Sequence, residues 1–187
     1  MSTPVHAAIA ESLQVPLLVV VGGLPGTGKT TIARGLATHL SAVHLRVDTV
    51  EQVLRRAPGG PADLTDLGYR VLYALALDNL QLGHWVIADA VNPVPLTRGA
   101  WRAVAEAARA AFVEIELVCS DPAEHRRRVE RRAADIPGLE LPTWQDVLDR
   151  EYHPWQPTVR IDTAGVSADD SIREAITAVM HAQAGSR

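Results

Sequence analysis

The stretch Leu17-Leu18-Val19-Val20-Val21-Gly22-Gly23-Leu24-Pro25-Gly26-Thr27-Gly28-Lys29-Thr30 decides the fold of this chain. It opens with five apolar residues in a row, a pattern typical of a strand that is covered on both faces of a parallel sheet. A glycine-rich loop follows, and apolar residues then recur at helical spacing as far as Leu40. The segment therefore predicts a strand, a tight loop and a helix in direct succession.

Residues 23–30 match the pattern G-x-x-x-x-G-K-[ST] in the strand-to-helix context that the pattern requires. Glycines let successive backbone N–H groups converge on phosphate oxygens, and the start of the helix adds its positive dipole. We expect Lys29 to reach the β- and γ-phosphates and Thr30 to ligate Mg²⁺, the implied cofactor. ATP is favoured over GTP because the sequence has no Asn-Lys-x-Asp segment. The predicted ATP contacts in this loop are Gly23, Leu24, Pro25, Gly26, Thr27, Gly28, Lys29, Thr30 and Thr31.

Strand-like and helix-like patterns alternate along the rest of the chain. Four more strands are predicted, over 43–47, 85–88, 112–118 and 158–161. The remaining helices are predicted at 50–54, 64–82, 95–110, 122–134, 144–152 and 169–180. This order predicts an α/β fold. Its doubly wound five-stranded parallel sheet has helices on both faces and a site at the carboxyl ends of the strands.

Length and composition favour one globular domain over residues 17–187, preceded by a flexible arm over residues 1–16. The 187 residues are 47% hydrophobic and 21% charged, and the net charge of −4 makes long nucleic acid an unlikely partner. The sequence lacks a basic n-region and an apolar run of about 18 residues, so we expect a cytoplasmic protein with no membrane partner. Cys119, the single cysteine, is interpreted as a buried thiol. The oligomeric state stays open.

Two aspartates follow predicted strands, where a doubly wound sheet places its site. Asp48 comes after strand 43–47, where a carboxylate can orient an acceptor hydroxyl and accept its proton; its alternative role is an N-cap. Asp89 follows strand 85–88, where a carboxylate that orders magnesium is expected, with a local turn as the alternative. Asn92, before a proline, either faces the substrate or forms a turn.

Five arginines fall within residues 126–132, just before a Pro-Gly break. On a helix Arg128 and Arg132 share one face, so a lid over about residues 122–142 could close them onto the triphosphate and stabilise its charge. The alternative is a solvated helix whose arginines pair with Glu124 and Glu130.

These motifs resemble those of small P-loop kinases often labelled AAA-family ATPases, which are relatives of chloramphenicol phosphotransferase, zeta toxins, gluconate kinase and polynucleotide kinase. The resemblance covers about residues 17–165. It rests on the loop at 23–30, Val47-Asp48, Tyr69 through Ala90, Cys119 with the arginine helix, and Ile161-Asp162-Thr163. It implies a P-loop NTPase fold of the nucleoside-kinase-like type. It also implies that Asp48 activates the acceptor, that Arg128 and Arg132 hold phosphates, and that Thr163 to Gly165 lie against adenine.

The resemblance has one clear departure. Polynucleotide kinases of this kind place an arginine three residues after the catalytic aspartate, and here that position is Glu51. We therefore expect ATP-dependent transfer of the γ-phosphate to a hydroxyl of a small molecule. Asp63 to Asp66 suggest a less basic substrate pocket than most such kinases have, so we expect this acceptor to be neutral or cationic. Tyr69 and Arg70 are candidate acceptor contacts, and Tyr69 is equally a candidate core residue. A toxin-like or polynucleotide kinase, and a nucleotide-dependent ATPase or switch without an acceptor, remain alternatives.

Overall fold

The computed structural model describes residues 15–61, 64 and 66–185. Its strands are β1 (Leu17–Gly22), β2 (Val43–Arg46), β3 (Val86–Asp89), β4 (Ala111–Val118) and β5 (Val159–Asp162). Its helices are α1 (Lys29–Leu40), α2 (Val47–Arg56), α3 (Leu67–Gln81), α4 (Pro95–Ala108), α5 (Pro122–Arg131), α6 (Trp144–Leu148) and α7 (Ala168–Gly185).

The five strands form one sheet in the order β2-β3-β1-β4-β5, and every pairing is parallel. The predicted five-stranded parallel sheet is therefore confirmed. β1 lies at the centre between β3 and β4, with Val21 opposite Asp89 on one side and Ile115 on the other. Because all strands run in the same direction, the loop after β1, the start of α2 and the end of β3 meet at one edge of the sheet.

Alternate side chains of the central strand belong to two separate cores, as expected for a sheet that is covered on both faces. Leu17, Val19 and Val21 pack with residues of α1 and α7. Leu18 and Val20 pack with residues of α3 and α4 on the other face. The fully apolar run at the start of the sequence thus reflects burial on both faces, and it fixes β1 in the middle of the molecule.

Several element boundaries differ from those predicted. β2 ends at Arg46, and α2 begins directly at Val47, so Asp48 lies in the first helical turn, and the N-cap is Arg46 rather than Asp48. Asp89 is the last residue of β3 rather than the residue after it. These shifts keep both carboxylates at the carboxyl edge of the sheet.

The helix predicted over 144–152 ends at Leu148. The Tyr152 hydroxyl donates to Glu116 on β4. This hydrogen bond holds Tyr152 against the sheet, so the chain at this point does not continue along the helix axis. Pro154 also disfavours helical backbone at the residue before it.

The flexible arm predicted over residues 1–16 falls mostly outside the described residues. Its last two residues are fixed to the body, because the Val15 carbonyl accepts from Trp85 Nε1 at 3.1 Å and the Pro16 carbonyl from the Ala111 amide at 2.8 Å. None of the helices in the described part of the chain has the length and apolar composition needed to span a bilayer.

Candidate active site

The loop between β1 and α1 has the backbone that a phosphate cradle requires. Gly23, Gly26 and Gly28 have φ values of 138°, 87° and 92°, a region that side chains rarely tolerate. A Cβ at Gly26 would lie 2.5 Å from a methyl group of Val129, so the loop also packs too closely for a larger residue. Among the described residues no side chain caps the start of α1, which leaves its first N–H groups available to an anion.

Lys29 is held at the mouth of this loop. Its ammonium donates to the Leu24 carbonyl at 2.9 Å. Burial lowers the pKa of Lys29 to about 8, although the charges of Asp89 and Asp48 act in the opposite direction. A partly desolvated ammonium beside convergent amides is an arrangement that can bind phosphate oxygens.

Asp89 lies next to Thr30 and Lys29, in the position predicted for a magnesium-ordering carboxylate. It is only 3% exposed, and its Oδ2 accepts no hydrogen bond from a described residue. Burial raises the pKa of Asp89, but the nearby His44 and the Lys29 charge outweigh this and leave that pKa below its usual value. A buried, ionised carboxylate oxygen with a spare lone pair, beside a threonine hydroxyl, fits the oxygen ligands that Mg²⁺ prefers.

No group of three or more His, Cys, Asp or Glu side chains suited to a metal occurs within the described ranges. Thr30 and Asp89 alone would therefore leave most positions around Mg²⁺ to water and phosphate oxygens, which is how this ion is commonly held beside nucleotides.

Asp48 faces a large cavity from the first turn of α2, and its side chain is 43% exposed there. The cavity has a volume of ≈ 960 Å³ and also contains Lys29, Thr30 and Asp89 in its wall. The predicted acceptor carboxylate and the phosphate-binding loop thus share one space. This volume is large enough for phosphates and a small molecule together.

Arg128 lines the cavity beside the phosphate loop, but its guanidinium already has partners within the protein. It donates to the Thr163 hydroxyl at 2.8 Å, to the Thr163 carbonyl at 2.7 Å and to Glu124. Glu124 in turn accepts from the Gly165 amide at 2.9 Å. The arginine therefore ties α5 to the loop after β5. The Arg128–Glu124 ion pair is also one of those expected if α5 were a solvated helix whose arginines pair with Glu124 and Glu130.

The loop after β5 forms the wall of a second, smaller cavity of ≈ 220 Å³. Its wall includes Gly28, Thr31, Arg128, Thr163 and Val166. The Thr163 hydroxyl lies 3.2 Å from the Thr27 carbonyl of the phosphate loop and 3.0 Å from the Val118 carbonyl of β4, and its single proton can be donated to either. The structure thus brings this loop against the phosphate cradle. The adenine contact that the resemblance implies for Thr163 to Gly165 stays a prediction.

Arg132 and Arg150 lie near Lys29 in the wall of the large cavity. Arg132 follows the last residue of α5, and Arg150 follows α6; both line the large cavity. Among the described residues neither guanidinium has a hydrogen-bonding or ion-pair partner. Both charges contribute to the lowered pKa of Lys29. Two unpaired cations beside the phosphate loop are suited to an anionic ligand.

The predicted acceptor contacts are only partly brought together. Tyr69 lines the cavity, but its hydroxyl accepts from the Asn92 amide at 2.9 Å, and burial raises its pKa to about 12. Arg70 is exposed and lies outside the wall, because successive helical residues point about 100° apart. Asn92 is also outside the wall: it is fully buried, its Cβ lies beside Gly22, and its φ is 54°. The prediction that Arg70 and Asn92 face the substrate is thus at odds with the geometry.

Three cavity or loop contacts were missed in the sequence. Arg46 and Arg150 line the cavity, and His125 donates from Nε2 to the Pro25 carbonyl at 2.8 Å. His125 also packs edge-on against Trp144 at 5.1 Å between ring centroids. For Arg46 a signal existed: it lies two residues before Asp48, on the same strand end. Nothing in the local sequence distinguishes Arg150 from a surface arginine.

Residues 18–150, well over half of the chain, match the family described as AAA domain. Uncharacterized proteins of Mycobacterium tuberculosis and Mycobacterium bovis are each 32% identical to this chain over 161 residues. That similarity covers 79% of this chain and 32% of each relative, so the chain spans about a third of the length of the curated relatives it matches.

Solved structures share the fold at low sequence identity. The APS kinase CysC of Mycobacterium tuberculosis, in complex with AMPPNP and APS, is 21% identical, with a TM-score of 0.65 over 89% of this chain and 98% of that chain. A gluconokinase from Sinorhizobium meliloti 1021 is 19% identical, with a TM-score of 0.64 over 92% and 96%. Kti12 of Chaetomium thermophilum, in complex with ADP-AlF3, is 24% identical, with a TM-score of 0.62 over 87% and 98%. The chain has the fold of these P-loop proteins, and it belongs to the AAA domain family.

Proposed function

We propose that this chain is an ATP-dependent phosphotransferase that moves the γ-phosphate to a hydroxyl group of a small molecule. The observation that carries the proposal is the exposed Asp48 carboxylate in the cavity that also holds Lys29 and Asp89. A protein that only binds or hydrolyses a nucleotide has no use for a second carboxylate on the acceptor side of the phosphates.

The loop at 23–30 would bind the phosphates of ATP. Its amides and Lys29 would bind the β- and γ-phosphates, while Thr30 and Asp89 would hold Mg²⁺. When bound, Mg²⁺ would offset negative charge on the phosphate oxygens. Arg132 and Arg150 have no partner among the described residues, so they are the side chains best placed to neutralise charge on the transferring group.

At the acceptor end, Asp48 would accept a hydrogen bond from the substrate hydroxyl and orient its oxygen toward the γ-phosphorus. A bond forms between that oxygen and phosphorus, the bond from phosphorus to the β–γ bridging oxygen breaks, and ADP leaves. The hydroxyl proton passes to Asp48. Tyr69 would support the acceptor through its ring, because its hydroxyl is already engaged by the Asn92 amide.

The adenine would lie in the smaller cavity beside Thr163, with Gly165 holding the loop in place through Glu124. Neighbours in fold include a kinase solved with an ATP analogue and APS, and one named a gluconokinase. These neighbours support the general class, a kinase that acts on a small hydroxylated molecule, but they do not identify the acceptor of this chain.

The test compares ATP turnover by the wild type and Asp48→Asn against a panel of sugars, nucleosides, aminoglycoside- and amphenicol-type compounds and a 5′-hydroxyl oligonucleotide. Nucleotide binding is measured for both proteins. Asp169→Asn is a matched control, because Asp169 also lies in the first turn of a helix but on the exposed start of α7.

We expect one compound class to stimulate the wild type and Asp169→Asn, with a loss of about 100-fold or more in Asp48→Asn at unchanged ATP affinity. Stimulation by the oligonucleotide alone would favour a polynucleotide kinase. If no acceptor stimulates turnover and Asp48→Asn hydrolyses ATP like the wild type, the phosphotransferase proposal fails and a nucleotide-dependent switch replaces it.

A further inference from the structure

Arg46 is a buried arginine at the point where β2 passes into α2. It is only 5% exposed, and three carboxylates surround its guanidinium. Nη1 lies 2.7 Å from Asp135, Nη2 lies 3.2 Å from Asp48, and Nε lies 3.7 Å from Asp89. One side chain thus contacts the acceptor carboxylate and the predicted metal carboxylate at the same time.

The third carboxylate belongs to a separate part of the molecule. Asp135 lies in residues 132–142, here called the lid loop, which follows α5 and forms one wall of the large cavity through Leu139 to Pro142. The same Asp135 oxygen also accepts from Arg34 on α1 at 2.8 Å. Arg46 is therefore the side chain through which the lid loop touches both functional carboxylates.

The lid loop rests on α2 at two further points. Gln52 donates to the Pro137 carbonyl at 3.3 Å. Gly138 lies so close to Arg56 that a Cβ there would come within 2.1 Å of the guanidinium. The position of the loop is thus set against the helix that carries Asp48. The hydrogen bond from Arg46 holds the pKa of Asp135 at about 2, so the pair stays charged at ordinary pH.

The guanidinium group is planar and presents its N–H donors in a fixed fork. When Asp135 fixes Nη1, the position of Nη2, which donates to Asp48 at 3.2 Å, is fixed as well. Nε makes no hydrogen bond to a described residue, but it lies 3.7 Å from Asp89 and places positive charge beside that carboxylate. We propose that Arg46 is a positioning residue that couples placement of the lid loop, through Asp135, to the orientation of Asp48 beside Asp89. This inference rests on the proposed phosphotransfer. In it, Arg46 and Asp135 act on the reaction through Asp48 and do not contact the substrate themselves.

A purely structural role makes different predictions. If Arg46 only neutralised the three carboxylates, Arg46→Lys would retain that charge and most of the activity. If Arg46 positions Asp48, Arg46→Lys loses most of the turnover, because an ammonium lacks the planar fork that binds Asp135 and Asp48 in fixed directions. Asp135→Asn provides a milder variant, since it leaves Arg46 in place with two carboxylates and should fold normally.

The experiment uses the full chain as wild type, Asp135→Asn, Arg46→Lys and the control Glu130→Gln. Glu130 lies on α5 beside the lid loop, and its ion pair with Arg126 is on the surface. Two readouts are taken: the rate of trypsin cleavage after Arg131 and Arg132 with and without the ATP analogue AMPPNP, and kcat and KM for ATP turnover. Unfolding temperatures are recorded for all four proteins.

We expect AMPPNP to protect the lid loop in the wild type and Glu130→Gln but several-fold less in Asp135→Asn. Turnover should fall about 10-fold or more in Asp135→Asn and Arg46→Lys, with KM for ATP within about twofold, because small misplacements of reacting groups are costly. Unchanged protection in Asp135→Asn, unchanged kcat, or losses that follow a fall in unfolding temperature would each overturn the inference.

A failure of the proposed function can be distinguished from a failure of this inference. If no acceptor stimulates the wild type, phosphotransfer to a small molecule is refuted. The trypsin comparison and acceptor-free ATP hydrolysis then still decide whether Asp135 and Arg46 link the lid loop to the site.

Discussion

At the scale of single residues, Lys29 gives the site a dependence on pH. Its pKa of about 8 means that the ammonium is mostly charged at pH 7 and is lost as the pH rises through 8. Because phosphate oxygens bind the charged form, we expect the Kd for ATP to rise by up to about tenfold per pH unit above about pH 8. Titrations from about pH 7.5 to about pH 9.5 without divalent metal would measure this.

The matched variant is Lys29→Arg, whose guanidinium stays charged over the whole range. Its Kd for ATP should be higher than that of the wild type at pH 7.5 but should not change with pH. A sloping profile for Lys29→Arg, or a flat one for the wild type, would show that another group titrates or that Lys29 does not face the phosphates.

At the scale of elements, two side chains of helix α5, Arg128 and Glu124, attach it to the loop after β5. Arg128 is 29% exposed and makes two hydrogen bonds to Thr163 in that loop and one to Glu124. Arg126 makes only an exposed i,i+4 pair with Glu130 among the described residues. We expect Arg128→Ala to lower the free energy of unfolding by about 1–3 kcal/mol and to weaken ATP binding. Arg126→Ala should change stability by less than about 0.5 kcal/mol. Urea unfolding of both variants, with nucleotide titrations, makes the comparison.

Equal effects of the two substitutions would mean that α5 is held by packing alone, for example through Val129 against Gly26. Loss of ATP binding in Arg128→Ala without loss of stability would return Arg128 to the phosphate-binding role first predicted for it.

The elements themselves were largely predictable from sequence, because their signals are local. The apolar run of β1 and the glycine pattern at 23–28 each follow from a physical requirement of the backbone. Asp48 and Asp89 could be placed because strand ends in a parallel sheet converge. The surroundings of Arg46 and Asn92 could not be predicted, because they are formed by residues 89 and 70 positions away in the sequence. Asp135 binds Arg46, and Gly22 lies beside Asn92.

At the scale of the whole molecule, both cores share one strand. Side chains of β1 belong alternately to the core against α1 and α7 and to the core against α3 and α4. Neither core can lose β1 and stay formed, which predicts that residues 17–187 unfold as one domain. The phosphate loop begins at the end of the same strand, so nucleotide binding should stabilise the entire unit rather than one part of it.

We therefore expect a single calorimetric transition that ATP shifts upward without splitting. At ATP concentrations of about 100 times Kd the stabilisation is about 2.7 kcal/mol, which corresponds to about 5–10 °C for a domain of this size. Lys29→Met, which removes the ammonium, should unfold in one transition that ATP barely moves. Two transitions in the wild type, with ATP shifting only one, would mean that the cores on the two faces of the sheet are independent and that the strand they share does not couple the site to the whole fold.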